Sequence, residues 1–220
     1  MSHISPVAQR LRIIFGKSSS LKYTSNLDIA KIWERVLRRA DLPILYTQGF
    51  NTRPRIQLAM PLPLGISSEC EILDISLRKH INFDESELRD QLLAVSPPGL
   101  TIQAIAEVDP RAATLHSLVD SAEYRIRFLD DIDPACLRQK IADIMGRESI
   151  IVDRIRKRKR SVMDIRPLIL DLYLDPSDDL IAHLSVGDRG NLRPDQIIEL
   201  MSLQHLHHSV HRFRLHTMQD

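Results

Sequence analysis

Residues 42–65 read LPILYTQGFNTRPRIQLAMPLPLG. The stretch divides into a polar turn, residues 46–55, a short apolar strand pattern, residues 56–60, and a Pro-Leu-Pro-Leu-Gly exit. Gly49 and Gly65 can take positive φ at no steric cost. Pro54, Pro61 and Pro63 each fix φ and remove a backbone donor. So much stiffness in one loop is expected either to set a turn in the fold or to hold a bound group. Tyr46, Gly49, Phe50, Asn51, Pro54 and Gly65 are the residues that shape it.

Working outward, the elements on either side form an ordered series. Residues 11–15, LRIIF, read as a strand. Ser25 or Asn26 can cap a helix over residues 27–40, whose apolar positions fall at helical spacing. A short edge strand is expected at residues 44–46, with strands at 56–60 and 70–77. Asp84 or Ser86 opens a helix to about residue 94, Pro97-Pro98-Gly99 stops it, and residues 100–108 form a strand. Residues 109–120 read as a linker or crossing segment.

The same order then recurs. Strand 122–128 precedes a helix opened by Asp133-Pro134, and strands follow at 150–155, at 164–174, broken by Pro167, and at 180–186. A helix opened by Arg193-Pro194-Asp195 and a final strand, 210–217, complete it. The expected fold is therefore α+β, with two ferredoxin-like (β-α-β-β-α-β) domains in tandem at residues 9–109 and 120–220. A single mixed α+β domain is the competing arrangement.

The 220 residues suffice for one large core or two small ones. The net charge of +1 conceals a strong asymmetry. Residues 1–60 hold ten Lys/Arg against three Asp/Glu, whereas residues 61–120 hold four against ten. Cys70 and Cys136 are far apart and form no CxxC pair, which argues against a disulfide framework or a cluster held by this chain. Neither a long apolar run nor a signal-peptide pattern occurs, so a cytoplasmic chain without membrane contact is expected.

Basic residues supply the clearest candidate sites. Arg53 and Arg55 flank Pro54, and Arg35, Arg38 and Arg39 lie on the preceding helix. Together they could form one guanidinium patch suited to phosphate oxygens or an RNA backbone. Alternatively, the helix arginines form a solvated face that complements the helix C-terminus. A second run, Arg154, Arg156, Lys157, Arg158, Lys159 and Arg160, suits a basic hairpin on nucleic acid or a solvated loop. Asp164 and Arg166 are spaced to share a strand face, and residues 187–194 resemble an anion-binding loop entering a helix at Arg193. Asp28 is either a capping acid or a site acid facing the turn arginines. His205, His207, His208, His211 and His216 lack recognised ligand spacing, so neither a metal nor any other cofactor is expected.

The stretch at residues 42–65, the helix entry at residues 21–28, Leu37-Arg38-Arg39, the DIRP at residues 164–167 and Arg193-Pro194 resemble one family throughout. It is the radical-SAM-linked family of uncharacterised proteins, also described as DUF2344. The resemblance implies a C-terminal extension or separate partner of a B12-binding-type radical SAM protein, associated with RNA or ribosomal components. The family pattern has Ser-His where this chain has Ser25-Asn26, and Pro-His-Pro-Lys where it has Thr52-Arg53-Pro54-Arg55. Two family histidines are thus replaced, while the turn remains cationic. That favours binding over proton transfer or metal chemistry. The sequence also lacks a CxxxCxxC cluster motif, so radical chemistry would belong to a separate protein.

The expected function is an accessory or substrate-binding protein for RNA-linked modification, non-catalytic by itself. One alternative is an RNA-processing or RNA-modifying enzyme using Asp28, Asp74 and Arg53. Another is a structural protein-interaction module without nucleic-acid binding.

Overall fold

β1, Gln9–Lys17, sends Leu11, Ile13 and Phe15 to one face and Arg10 and Arg12 to the other. That alternation organises the first of two compact units, Met1–Leu118 and Val119–Asp220. The computed structural model describes residues 7–48, 51–156, 159–187 and 190–217. For residues 116, 154–156, 159 and 160 the description covers the backbone alone.

In the first unit, β1 pairs antiparallel with β3, Ser67–Leu77, and with β4, Leu100–Val108. β2, Ile56–Leu58, pairs antiparallel with β3, giving the order β4-β1-β3-β2. α1, Asn26–Arg39, and α2, Glu85–Ala94, cover one sheet face. Trp33, Val36 and Leu37 of α1, with Leu88 and Leu92 of α2, join the core made by Leu11, Ile13, Leu73 and Ile75. Phe15 meets Trp33 edge to face, with ring centroids 5.0 Å apart.

Local chemistry sets the helix ends. The Ser25 hydroxyl accepts the Asp28 N–H at the start of α1. The Asp84 carboxylate accepts the Ser86 and Glu87 N–H groups at the start of α2. α1 closes through Asp41, at φ 53, with the Leu42 N–H on Leu37 O and the Asp41 N–H on Arg38 O.

The edge strand expected at residues 44–46 is reduced to isolated bridges, Ile44 to Leu77 and Tyr46 to Pro54. Pro43 and Pro54 lack the donors a continuous ladder needs. The expected linker at residues 109–120 is more structured than its composition suggests. It contains α3, Leu115–Leu118, with Leu115 and Leu118 buried.

The second unit begins with β5, Val119–Phe128, and α4, Pro134–Met145. β6, Ile151–Arg156, and β7, Lys159–Asp164, form a separate two-stranded ribbon. β8, Ile169–Leu174, and β9, Leu180–Ser185, follow, then α5, Pro194–Leu200, and β10, His208–Thr217. The main sheet of this unit has the antiparallel order β10-β5-β9-β8. α4 lies against β8 and α5 against β9.

One sequence expectation changes here. The strand expected at residues 150–155 belongs to the ribbon, where Ile151 and Val162 are exposed rather than buried in a sheet face. The break expected at Pro167 is present, because Arg166–Leu168 forms a 3-10 turn between β7 and β8. The fold is α+β throughout.

Candidate functional site

The face of the first sheet opposite α1 and α2 places Arg10, Arg12 and Asp74 together, because Arg12 lies opposite Asp74 and Arg10 opposite Ser76. Asp74 is buried, and both arginines converge on its carboxylate. Arg10 Nε donates to Asp74 Oδ2 at 2.9 Å, and its Nη2 donates to the same oxygen. Arg12 Nε donates to Oδ1 at 2.9 Å and Nη2 to Oδ2 at 3.0 Å. Charge-assisted forks of this kind hold both geometry and charge. Arg10 also donates to the carbonyls of Ala112, at 2.9 Å, and Ala113, at 3.2 Å. It thereby straps residues 110–114 against the sheet.

A cleft of about 470 Å³ opens beside this cluster. Arg10, Asp74 and Ser76 line it, together with Pro110, Ala112 and Thr114 of the strap and Thr47, Arg53, Arg55 and Gln57 of the opening loop. The loop is tied at its base. The Thr47 N–H donates to Arg53 O, and the Arg55 N–H to Leu45 O, both at 2.8 Å. The Thr47 hydroxyl accepts the Arg53 N–H at 2.9 Å. Ser76 of β3 then accepts from Leu45 through its carbonyl and donates its N–H to Arg55 O. Pro54 holds the backbone between the two arginines. Among the described residues, neither Arg53 nor Arg55 has a carboxylate partner.

The remaining candidates fall elsewhere. Arg38 lines a separate groove of about 330 Å³ with Tyr46 and Arg78. Arg35 and Arg39 are exposed on α1 and line neither cleft. Asn51 is exposed in the loop, and Gly65 takes φ 85 at its exit while donating its N–H to Lys22 O. Gly49 and Phe50 lie outside the described residues.

Asp28 sits at the first turn of α1, some ten residues before Arg38, or roughly 15 Å along a helix. Its pKa is lowered chiefly by the Ser25 hydroxyl, with Lys31 nearby. It is a capping acid and is absent from the cleft lining.

Asp164 and Arg166 do not pair through their side chains. Asp164 Oδ1 accepts the N–H groups of Ile150 and Arg166. The Arg166 guanidinium donates to the carbonyls of Met145, Arg147 and Ile169, satisfying backbone acceptors at the end of α4. At α5, the Arg193 guanidinium meets Asp195 and the Arg193 N–H donates to Gln196, so the helix entrance is capped from within the chain. The ribbon register places Arg156 opposite Lys159 and Ile155 opposite Arg160. Lys157 and Arg158 lie outside the described residues, as do the side chains of Arg154, Arg156, Lys159 and Arg160.

The second unit holds a smaller polar cluster that histidine spacing did not reveal. The His183 Nε2 and Ser121 Oγ are 2.9 Å apart, and the His183 ring stacks obliquely on His216 at 4.8 Å. His216 Nε2 lies 2.6 Å from Glu123 Oε1. Burial, followed by the neighbouring His216, lowers the His183 pKa. No group of three or more metal-ligating side chains is placed to hold an ion among the described residues. Likewise, no described helix is long and apolar enough to cross a membrane.

The sequence profile of an uncharacterised protein family conserved in bacteria, DUF2344, matches residues 10–194. The chain belongs to the DUF2344 family. This match covers the cleft lining except Val7, together with the opening loop and the basic ribbon. No match was found among curated proteins.

Solved structures give weak superpositions. An unknown protein from Galdieria sulphuraria is 8% identical, with 93% of this chain and 98% of that chain covered and a TM-score of 0.26. A structure named "putative glycine cleavage system transcriptional repressor" is 13% identical, with coverage of 93% and 97% and a TM-score of 0.26.

Proposed function

We propose that this DUF2344 chain is a non-catalytic accessory protein that binds RNA through its phosphates and presents it to a B12-binding-type radical SAM enzyme in the cytoplasm. The observation carrying the reading is the cleft itself. Three guanidinium groups line it against one carboxylate, and the two at the loop have no acidic partner among the described residues. Cationic donors held on a stiff loop suit phosphate recognition. The basic run at residues 154–160 would add a second, sequence-independent contact. The family resemblance supplies the partner class.

The strand orders support assigning a ferredoxin-like plan to each proposed domain, residues 9–109 and 120–220. Each has four antiparallel strands in the same relative order, and the β6–β7 ribbon is an insertion in the second. Asp74, already bound by two arginines, and the capping position of Asp28 give the enzymatic alternative less support.

The test is anisotropy of labelled single-stranded RNA across a salt series, with wild type and Arg53→Gln/Arg55→Gln. Salt-sensitive binding that weakens in the variant supports the reading. Absence of binding at low salt would sink it and leave a protein-interaction role.

A further inference from the structure

Resting on the RNA-binding reading, we propose that the first unit's cleft recognises a terminal phosphate, a phosphomonoester, rather than an internal phosphodiester. Its described ionisable lining consists of Arg10, Arg53, Arg55 and Asp74, a net charge of +2. A diester contributes one negative charge, whereas a monoester carries about 1.5 to 2 at pH 7. The second charge is therefore what distinguishes a chain end in this site.

The geometry divides the work. Arg10 is immobilised by Asp74 and the strap carbonyls, and with Arg12 on the same carboxylate the cluster at the floor keeps a fixed net positive charge. Arg53 and Arg55 have no carboxylate partner among the described residues and supply the donors that reach the phosphate oxygens. The strap bounds one side and the opening loop the other, enclosing about 470 Å³. That is the scale of a small-molecule site rather than of a groove following many nucleotides. No aromatic side chain lines it among the described residues.

The experiment compares one octamer RNA sequence carrying a 5′-phosphate, a 3′-phosphate or neither, by anisotropy at low salt and pH 7.5. Adenosine 5′-monophosphate and inorganic phosphate serve as competitors. At least one phosphorylated end should bind about tenfold more tightly than the unphosphorylated RNA. Competition by either small anion would show that the phosphate is recognised without the rest of the chain. The preference should shrink at pH 5, below the monoester's second pKa of about 6. It should also disappear in Arg53→Gln/Arg55→Gln, with melting temperature confirming that the variant folds. Equal binding of all three RNAs would overturn the terminal-phosphate proposal while leaving the RNA-binding reading intact. A preference that survives in the variant would place it at another site and also overturn the proposal. No binding of any RNA would overturn both.

Discussion

Asp74 holds two arginines on one buried carboxylate, and this makes the cleft floor sensitive to single changes. Asp74→Ala would leave Arg10 buried without its counter-charge. Breaking a buried pair from one side costs about 3–5 kcal/mol, a loss measurable by urea unfolding. Arg53→Gln, at an exposed loop position, should change stability by no more than about 0.5 kcal/mol. The contrast separates the residues that build the site from those that face the ligand. Arg53 and Arg55 were legible in the sequence because they flank a proline in a stiff turn. The Arg10–Arg12–Asp74 cluster was not, because it depends on the β1–β3 register, which joins residues more than 60 positions apart. Its one local signal was a charged residue at alternate positions of otherwise apolar strands.

His183 gives a second prediction at the same scale. The folded protein resists protonating it, because it is partly buried beside His216, while Glu123, Asp171 and Asp120 oppose that effect. Its folded pKa lies below 6.5, so the unfolded chain binds the proton first. Its stabilising contribution is complete above about pH 6.5 and is lost as pH falls through the folded pKa. Melting temperature should decline from pH 7 to 5.5, and His183→Gln should flatten that decline. The lowered carboxylates Asp28, Asp84 and Asp130 act at more acidic pH, outside this window.

Among the elements, the helices were the most legible, since capping residues and apolar spacing agree locally. Ser25 caps α1 as its position suggested. Ser25→Ala should therefore lower unfolding free energy by about 1 kcal/mol in a denaturant titration. The strands were harder to place than to find. The pattern at residues 150–155 is strand-like, and its apolar spacing alone does not separate a ribbon strand from a sheet strand. The basic run was the available clue, because such a segment cannot readily bury both faces. Residues 109–114 are irregular, as expected of a linker or crossing segment, but their tie to the sheet was not legible. Their order comes from distant Arg10, whereas their own composition resembles a linker.

Across the whole molecule, the near-neutral charge says little about partners because basic and acidic regions are segregated. If Arg53 and Arg55 each contact a phosphate, salt dependence should count them. For single-stranded RNA, the slope of log affinity against log salt changes by roughly 0.7 per contact. Arg53→Gln/Arg55→Gln should thus reduce its magnitude by about 1.4, measured between 50 and 200 mM salt. A repeated element order was visible in sequence. The common strand order of the two units emerged only when pairing between distant segments was known.

The central position of β1 has a consequence during synthesis. Its two sheet neighbours are β3 and β4, and Arg10 pairs in register with Val108. The first strand therefore leaves the ribosome nearly one hundred residues before the last neighbour that covers it. At about 5–20 residues per second, LRIIF must wait roughly 5–20 seconds for that partner. Until β4 emerges, one edge of this apolar segment stays open even after β3 has paired with the other. The basic residues within and beside it, Arg12 with Arg10 and Lys17, oppose self-association before they contribute to the folded protein.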